Sequence, residues 1–160
     1  MSLSDDEALA LQLGRKARGV VEIAHRCMCG LPDVVKTLPR LEDGTPFPTM
    51  YYITCPKLAS KIGTLEANGL MKELEAELDA DPELKSAYAK AHQSYLEQRR
   101  TLEDVEEISG ISAGGMPERV KCLHALIAHS LAVGPGVNPI GDKALALLRA
   151  WGSEPCVGQE

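Results

Sequence analysis

The sequence predicts an α+β fold: a small antiparallel sheet near the N-terminus, packed with a C-terminal set of helices. Three observations predict it. β-Branched and aromatic residues gather before residue 55, in Val20, Val21 and Ile23, in Val34-Val35, and in Tyr51-Tyr52-Ile53. From Lys57 onward the apolar residues recur at helical spacing, as in Leu70, Leu74 and Leu78. The segments joining the three strand candidates are too short for parallel crossovers, so the sheet should be an antiparallel meander.

The elements follow in order. Ser4-Asp5-Asp6-Glu7 reads as a capping box, with Ser4 capping a short helix and Glu7 reaching back; the helix should end near Gly14. Gly19 to His25 is the first strand. Cys27-Met28-Cys29-Gly30-Leu31-Pro32 is a turn punctuated by Gly and Pro. Asp33 to Leu38 is the second strand, Pro39 to Pro48 a loop, and Thr49 to Thr54 the third strand, ended by Cys55-Pro56.

Leu58, Ile62, Leu65 and Glu66 fit a helix broken near Asn68-Gly69, and the Leu70 helix follows. Asp81-Pro82 opens a longer helix, expected to run to Glu107, because Pro suits a first helical turn. Ile108 to Met116 is a Gly/Ser loop. Pro117 is expected to open a helix through Val133, with Val120, Leu123, Ile127 and Leu131 on one face. A last helix spans about Gly141 to Trp151. Residues 1–151 thus read as one domain and 152–160 as a flexible tail.

Composition agrees. At 160 residues the chain suits one domain with a real core. Aromatic residues are only 4%, so small aliphatics must fill that core, which favours helices. The net charge of −6 argues against a nucleic-acid scaffold, which needs a basic stripe to neutralise phosphates. No apolar run approaches the roughly 20 residues of a membrane span. No basic segment followed by an apolar one marks a signal peptide. A cytoplasmic location is expected, and in that reducing compartment five cysteines read as thiols, metal ligands or catalytic groups rather than disulfides.

The topology groups those thiols. In an up-down-up meander the first and third strands run the same way. Cys27 and Cys29 follow the first and Cys55 follows the third, so all three should lie at one end of the sheet. Cys122 lies in the first turns of the Pro117 helix, with His124 and His129 behind it. Cys122 and His129 are seven apart and would share a helix face; Cys122 and His124 could meet only if the helix begins late or is distorted near Pro117. Soft thiolates suit zinc or an iron–sulfur cluster. Cys27, Cys29, Cys55 and Cys122 would supply four ligands, or His124 could replace one. The opposing reading is that each cysteine fills core space, as free Cys commonly does. Cys156, beside Pro155 in the polar tail, reads as an exposed bystander, His25 as a support to the thiols, and His92 as ordinary surface or core.

Two other chemistries fit the same residues. A Cys-dependent hydrolase or transferase would use Cys122 or Cys55 as nucleophile and His124 or His129 as base, although no nucleophile elbow or oxyanion loop is visible. A metal-free regulatory module would bind a small anion, such as a phosphate-bearing ligand. Its cations would be Arg26, Arg40, Arg119 and Lys121 around the Gly114-Gly115 loop, where backbone amides precede a helix. The glycine spacing there matches neither a Walker loop nor a dinucleotide fingerprint.

Four linked runs carry a resemblance. They are Arg26-Cys27-Met28-Cys29-Gly30, Asp43-Gly44-Thr45-Pro46-Phe47-Pro48-Thr49, Tyr51-Tyr52-Ile53-Thr54-Cys55-Pro56, and Gly114-Gly115-Met116-Pro117-Glu118-Arg119-Val120-Lys121-Cys122-Leu123-His124. In these, from about Leu11 to Trp151, the chain resembles the bacterial domain-of-unknown-function family 501, in its actinobacterial form. The resemblance implies no established activity. It implies cysteines at Cys27, Cys55 and Cys122 with His124 after the last, and a more variable position at Cys29. Genes of the family often lie near those for a cell-division initiator-like protein and an exopolyphosphatase-type phosphatase, which associates it with phosphate or envelope physiology.

Overall fold

The computed structural model describes residues 3–148, 151 and 156–157. The N-terminal helix α1 (Asp5–Leu13) starts in the expected capping box: Ser4 Oγ accepts the Glu7 N–H at 3.2 Å, and Glu7 Oε1 accepts the Ser4 N–H at 3.2 Å. Gly14 ends it in the left-handed region, at φ 72°. Strands β1 (Val20–Arg26), β2 (Pro32–Thr37) and β3 (Tyr51–Ile53) form an antiparallel sheet in the order β1-β2-β3. Six helices are described in all, so the fold is α+β as predicted.

The helices after the sheet are α2 (Pro56–Ala67), α3 (Leu70–Ala80), α4 (Pro82–Arg100), α5 (Leu123–Val133) and α6 (Pro139–Ala146). Prolines stand in the first turns of α2, α4 and α6, and Asp81 and Asn138 cap the last two with their side chains. α5 is the centre of the molecule. It is apolar on nearly all sides, with Leu123 and Ala125 through Ser130 buried, because it packs on the sheet, α2 and α6 at once. Val34, Tyr51 and Ile53 meet it from the sheet, while Tyr52, one residue out of phase, faces outward.

Three boundaries differ from expectation, each for a local reason. α4 stops at Arg100 instead of Glu107. There the Thr101 hydroxyl turns back to the Gln98 carbonyl at 2.6 Å, and the buried Arg99 guanidinium draws in the Ile108 carbonyl at 2.6 Å. Pro117 does not open a helix. It follows a cis peptide bond, and the chain from 117 to 122 loops back so that the Gly114 carbonyl accepts the N–H groups of Lys121 and Cys122. α5 therefore begins at Leu123, with Cys122 as its N-cap. The last helix ends at Ala146 rather than at Trp151. Of the expected tail, residues 152–155 and 158–160 lie outside the described residues. Among the described residues no helix is long and apolar enough to cross a membrane.

Candidate functional site

Thiols occupy two separate places. The first is built on the late start of α5. Because Cys122 is the N-cap and not part of the helix, its side chain and that of His124 can reach one point, which regular helical phase would forbid. α2 adds Glu66. The ligating atoms of Glu66, Cys122 and His124 all lie within 4.8 Å of one another, close enough to hold a metal ion. Glu66 fastens the group from both sides: one carboxylate oxygen accepts the Leu123 N–H at 2.9 Å, and the other lies 3.3 Å from His124 Nδ1. His124 Nε2 donates to the Ala59 carbonyl at 3.1 Å.

Both ring nitrogens of His124 thus face acceptors, which only the imidazolium satisfies in full. The adjoining Cys122 sulfur, against burial, raises His124 to about 9, with Glu66 and Ala59 adding to the effect. The same contact lowers the Cys122 thiol, aided by the Ala125 amide one turn on, although no full side-chain cap hydrogen bond closes. A cleft of about 340 Å³ opens beside the pair, lined by Thr49, Tyr51, Tyr52, Ile53, Ala59 and Ala125.

The Gly114-Gly115 run explains how this geometry is held. A Cβ on Gly114 would sit 2.6 Å from the Leu126 side chain and 3.1 Å from the Cys122 carbonyl oxygen; one on Gly115 would sit 2.7 Å from the Arg119 carbonyl oxygen. Both glycines also have positive φ, at 65° and 97°. The run is a tight brace under residues 119–122.

The second place is the end of the sheet around Pro32. Arg26 pairs with Pro32 in the ladder, and the turn closes with the Cys27 N–H on the Leu31 carbonyl and the Gly30 N–H on the Cys27 carbonyl, both 2.9 Å. Thr54 reaches the same end, its N–H on the Asp33 carbonyl at 2.9 Å and its hydroxyl on the Pro32 carbonyl at 3.4 Å. Cys55 comes next. Strand parity therefore brings the Cys27–Cys29 turn and Cys55 to one end of the sheet.

Cys156 joins them, against the expectation of an exposed bystander. It is half-buried against the core, and Gln12 of α1 donates from one amide nitrogen to both the Pro32 carbonyl, at 2.7 Å, and Cys156 Sγ, at 3.2 Å. The thiols run in succession, Cys27 beside Cys29, Cys29 beside Cys156, and Cys156 beside Cys55. Burial pushes Cys55 up to about 12 and raises Cys27. Burial acts on Cys29 too, but the N–H groups of Leu31 and Cys156 and the neighbouring thiols outweigh it and lower Cys29.

The remaining predicted residues fall elsewhere. Arg26, Arg40 and Arg119 each hold carboxylates of their own: Arg26 on Asp5 at 2.7 Å, Arg40 on Glu107 at 2.8 Å and Glu103 at 3.3 Å, and Arg119 on Glu75 at 3.0 Å. Lys121 is exposed, and its backbone serves the Gly114 brace. His129 is buried between Tyr51 and Tyr95, away from the α5 N-terminus. His25 binds Asp33 at 2.8 Å, and His92 binds Ser112 at 2.7 Å.

Two participants, Glu66 and Cys156, escaped the sequence reading. Glu66 left a trace: it continues the four-residue spacing of Leu58 and Ile62, and a carboxylate on an apolar stripe needs a partner. Cys156 left none, because its neighbours come from α1 and the sheet, over a hundred residues away.

No curated protein and no solved structure matches the chain. A family model does, over residues 23–146, a span that includes every thiol discussed except Cys156. The chain belongs to the family described as a protein of unknown function (DUF501).

Proposed function

We propose that this protein carries a thiolate-bound metal centre, zinc or an iron–sulfur cluster, held by Cys27, Cys29, Cys55 and Cys156. What supports it is that four thiols from three distant parts of the chain stand in succession at the Pro32 end of the sheet. Among the described residues only Glu66, Cys122 and His124 have ligating atoms mutually within 4.8 Å, so a metal here would have to draw the four sulfurs together. Sulfur-only donors suit thiophilic metals and exclude magnesium and calcium, which take oxygen. The surroundings suit a closed, structural centre: Cys27 and Cys55 are buried, and the Leu31 and Cys156 amides stabilise a thiolate at Cys29. Bound there, the metal would clamp the C-terminal segment and α1 to the end of the sheet, and its binding energy would add to folding.

Relative to the ligand set read from the sequence, Cys156 takes the fourth place in this proposal, and Cys122 and His124 are assigned to the separate α5 group. The test is anaerobic purification followed by metal analysis and an absorption spectrum. Near-stoichiometric zinc with a featureless visible spectrum supports the zinc form, and iron with sulfide-to-iron charge-transfer bands supports the cluster. Protein with neither metal and with all five thiols freely titratable overturns it.

A further inference from the structure

We infer that Cys122 is a nucleophile that takes the acyl group of an uncharged ester- or thioester-type donor seated in the cleft beside Tyr51 and Tyr52, with His124 as its proton partner. The thiol stands at the N-terminus of α5 and is not buried out of reach. An imidazole held by Glu66 and Ala59 adjoins it. A cleft opens on the pair. A nucleophile, a base and a group that orients the base are the three parts a covalent mechanism needs.

The lining of the cleft selects the substrate class. Apart from Cys122 and His124 its lining is tyrosine, threonine, isoleucine and alanine, with no lysine or arginine among the described residues. A phosphoryl or carboxylate group would find only the His124 imidazolium, already paired with the Glu66 carboxylate, whereas an apolar acyl chain on a neutral carbonyl would find matching surface. Disulfide exchange is disfavoured because the other four thiols gather at the Pro32 end of the sheet.

The step balances. The Cys122 thiolate attacks the carbonyl carbon, the carbon–oxygen or carbon–sulfur bond to the leaving group breaks, and the leaving group departs with the proton held on His124. The product on the protein is an S-acyl thioester. Water or an amine then attacks it, returning one proton to the pair and releasing the acid or amide.

The experiment uses the full chain and 4-nitrophenyl acetate as the neutral donor, with peptide mapping of the acetylated cysteine. The expected result is a stoichiometric burst of nitrophenolate with the acetyl group on Cys122, at a rate about tenfold or more above that of an ordinary thiol at pH 6.5. Cys122→Ser should abolish the burst and still fold, since serine is a favoured N-cap. His124→Asn should move the midpoint of the pH–rate curve upward into the ordinary thiol range, which a merely structural histidine would not do. The inference is overturned if Cys122 reacts no faster than in the denatured chain, if the burst survives Cys122→Ser, or if zinc co-purifies on the Glu66–Cys122–His124 group and blocks labelling. None of these readouts depends on whether the Pro32 thiols hold metal.

Discussion

Asn138 donates a hydrogen bond from Nδ2 to Nδ1 of the fully buried His129, at 3.1 Å. The direction follows from the other end of the amide, because Asn138 Oδ1 accepts the Gly141 N–H at 2.9 Å as the N-cap of α6. His129 Nδ1 is therefore the acceptor, and the ring proton sits on Nε2, which has no hydrogen-bond partner among the described residues. The ring stacks on Tyr51 at 5.9 Å and meets Tyr95 edge-on at 5.0 Å. A second proton would put an N–H against an N–H and a charge among aromatic rings. Burial accordingly lowers His129 to about 4.

That arrangement predicts a loss of stability in mild acid. Between the ordinary histidine value and about 4, the unfolded chain binds a proton that native His129 refuses. Stability should thus fall as pH drops from about 6.5 toward 4, at up to about 1.4 kcal/mol per pH unit. His92, also lowered by burial, acts in the same direction. His25 and His124 are raised, so they act in the opposite direction close to pH 6.5 and contribute no slope once the unfolded chain is fully protonated, about a pH unit lower. Urea midpoints at pH 6.5 and 4.5 test this. His129→Phe keeps the ring stack and should show a shallower slope, whatever its absolute stability; an unchanged slope refutes the assignment.

Close approach of α6 to α5 predicts a second effect. A Cβ on Gly141 would lie inside contact distance of both the Leu126 carbonyl oxygen and Ser130 Oγ. Both obstacles belong to the central helix, so the backbones must part. Gly141→Ala should cost about 3 kcal/mol, by overpacking. Gly136→Ala is the control: its φ is 95° with nothing among the described residues within 4 Å of the added carbon, so only left-handed strain of about 1 kcal/mol applies. Equal urea midpoints for the two variants would contradict this account.

The fold was legible because its strands and helices announce themselves locally. Tyr51-Tyr52-Ile53, the Ser4–Glu7 box and the Leu70–Leu74–Leu78 stripe need no tertiary information. The late start of α5 was not legible in that way. Proline before an apolar run normally opens a helix, and only the tertiary brace of Gly114 against Leu126 and Cys122 defers the start to Leu123. For the same reason the placing of the Cys27–Cys29 turn and Cys55 at one end of the sheet could be reached by strand parity, whereas Glu66 and Cys156 enter through packing between distant elements, which local pattern does not encode.

Arg99 is buried to 4% exposure, and its partners are carbonyls: Pro48 at 2.8 Å and Ile108 at 2.6 Å. It ties the loop before β3 to the 3₁₀ turn at Glu106–Ile108. Removing the guanidinium strands two carbonyls, and shortening the side chain leaves a void. Arg99→Ala should destabilise by about 3 kcal/mol, and Arg99→Lys, with one compact cation unable to fork, by about half of that. Amide exchange should rise first around residues 105–111, since that turn loses its anchor. Uniform exchange across the chain would mean that Arg99 holds the whole core instead.

The division of the thiols gives the last prediction. If the metal belongs to the Pro32 end, Cys156→Ser should lower metal content severalfold and weaken the hold on α1, because Gln12 bridges Pro32 and Cys156. Cys122→Ser should leave metal content unchanged, because on this proposal the Glu66–Cys122–His124 group, although compact enough to hold an ion, does not carry the metal. The two variants therefore separate the two groups within one metal analysis. The reverse pattern, metal lost with Cys122 and kept without Cys156, would assign the ion to the α5 group and refute the four-thiol centre. A chelator should lower the Tm of the unaltered protein by several degrees and that of Cys156→Ser by much less, since only the former has a bound ion to lose.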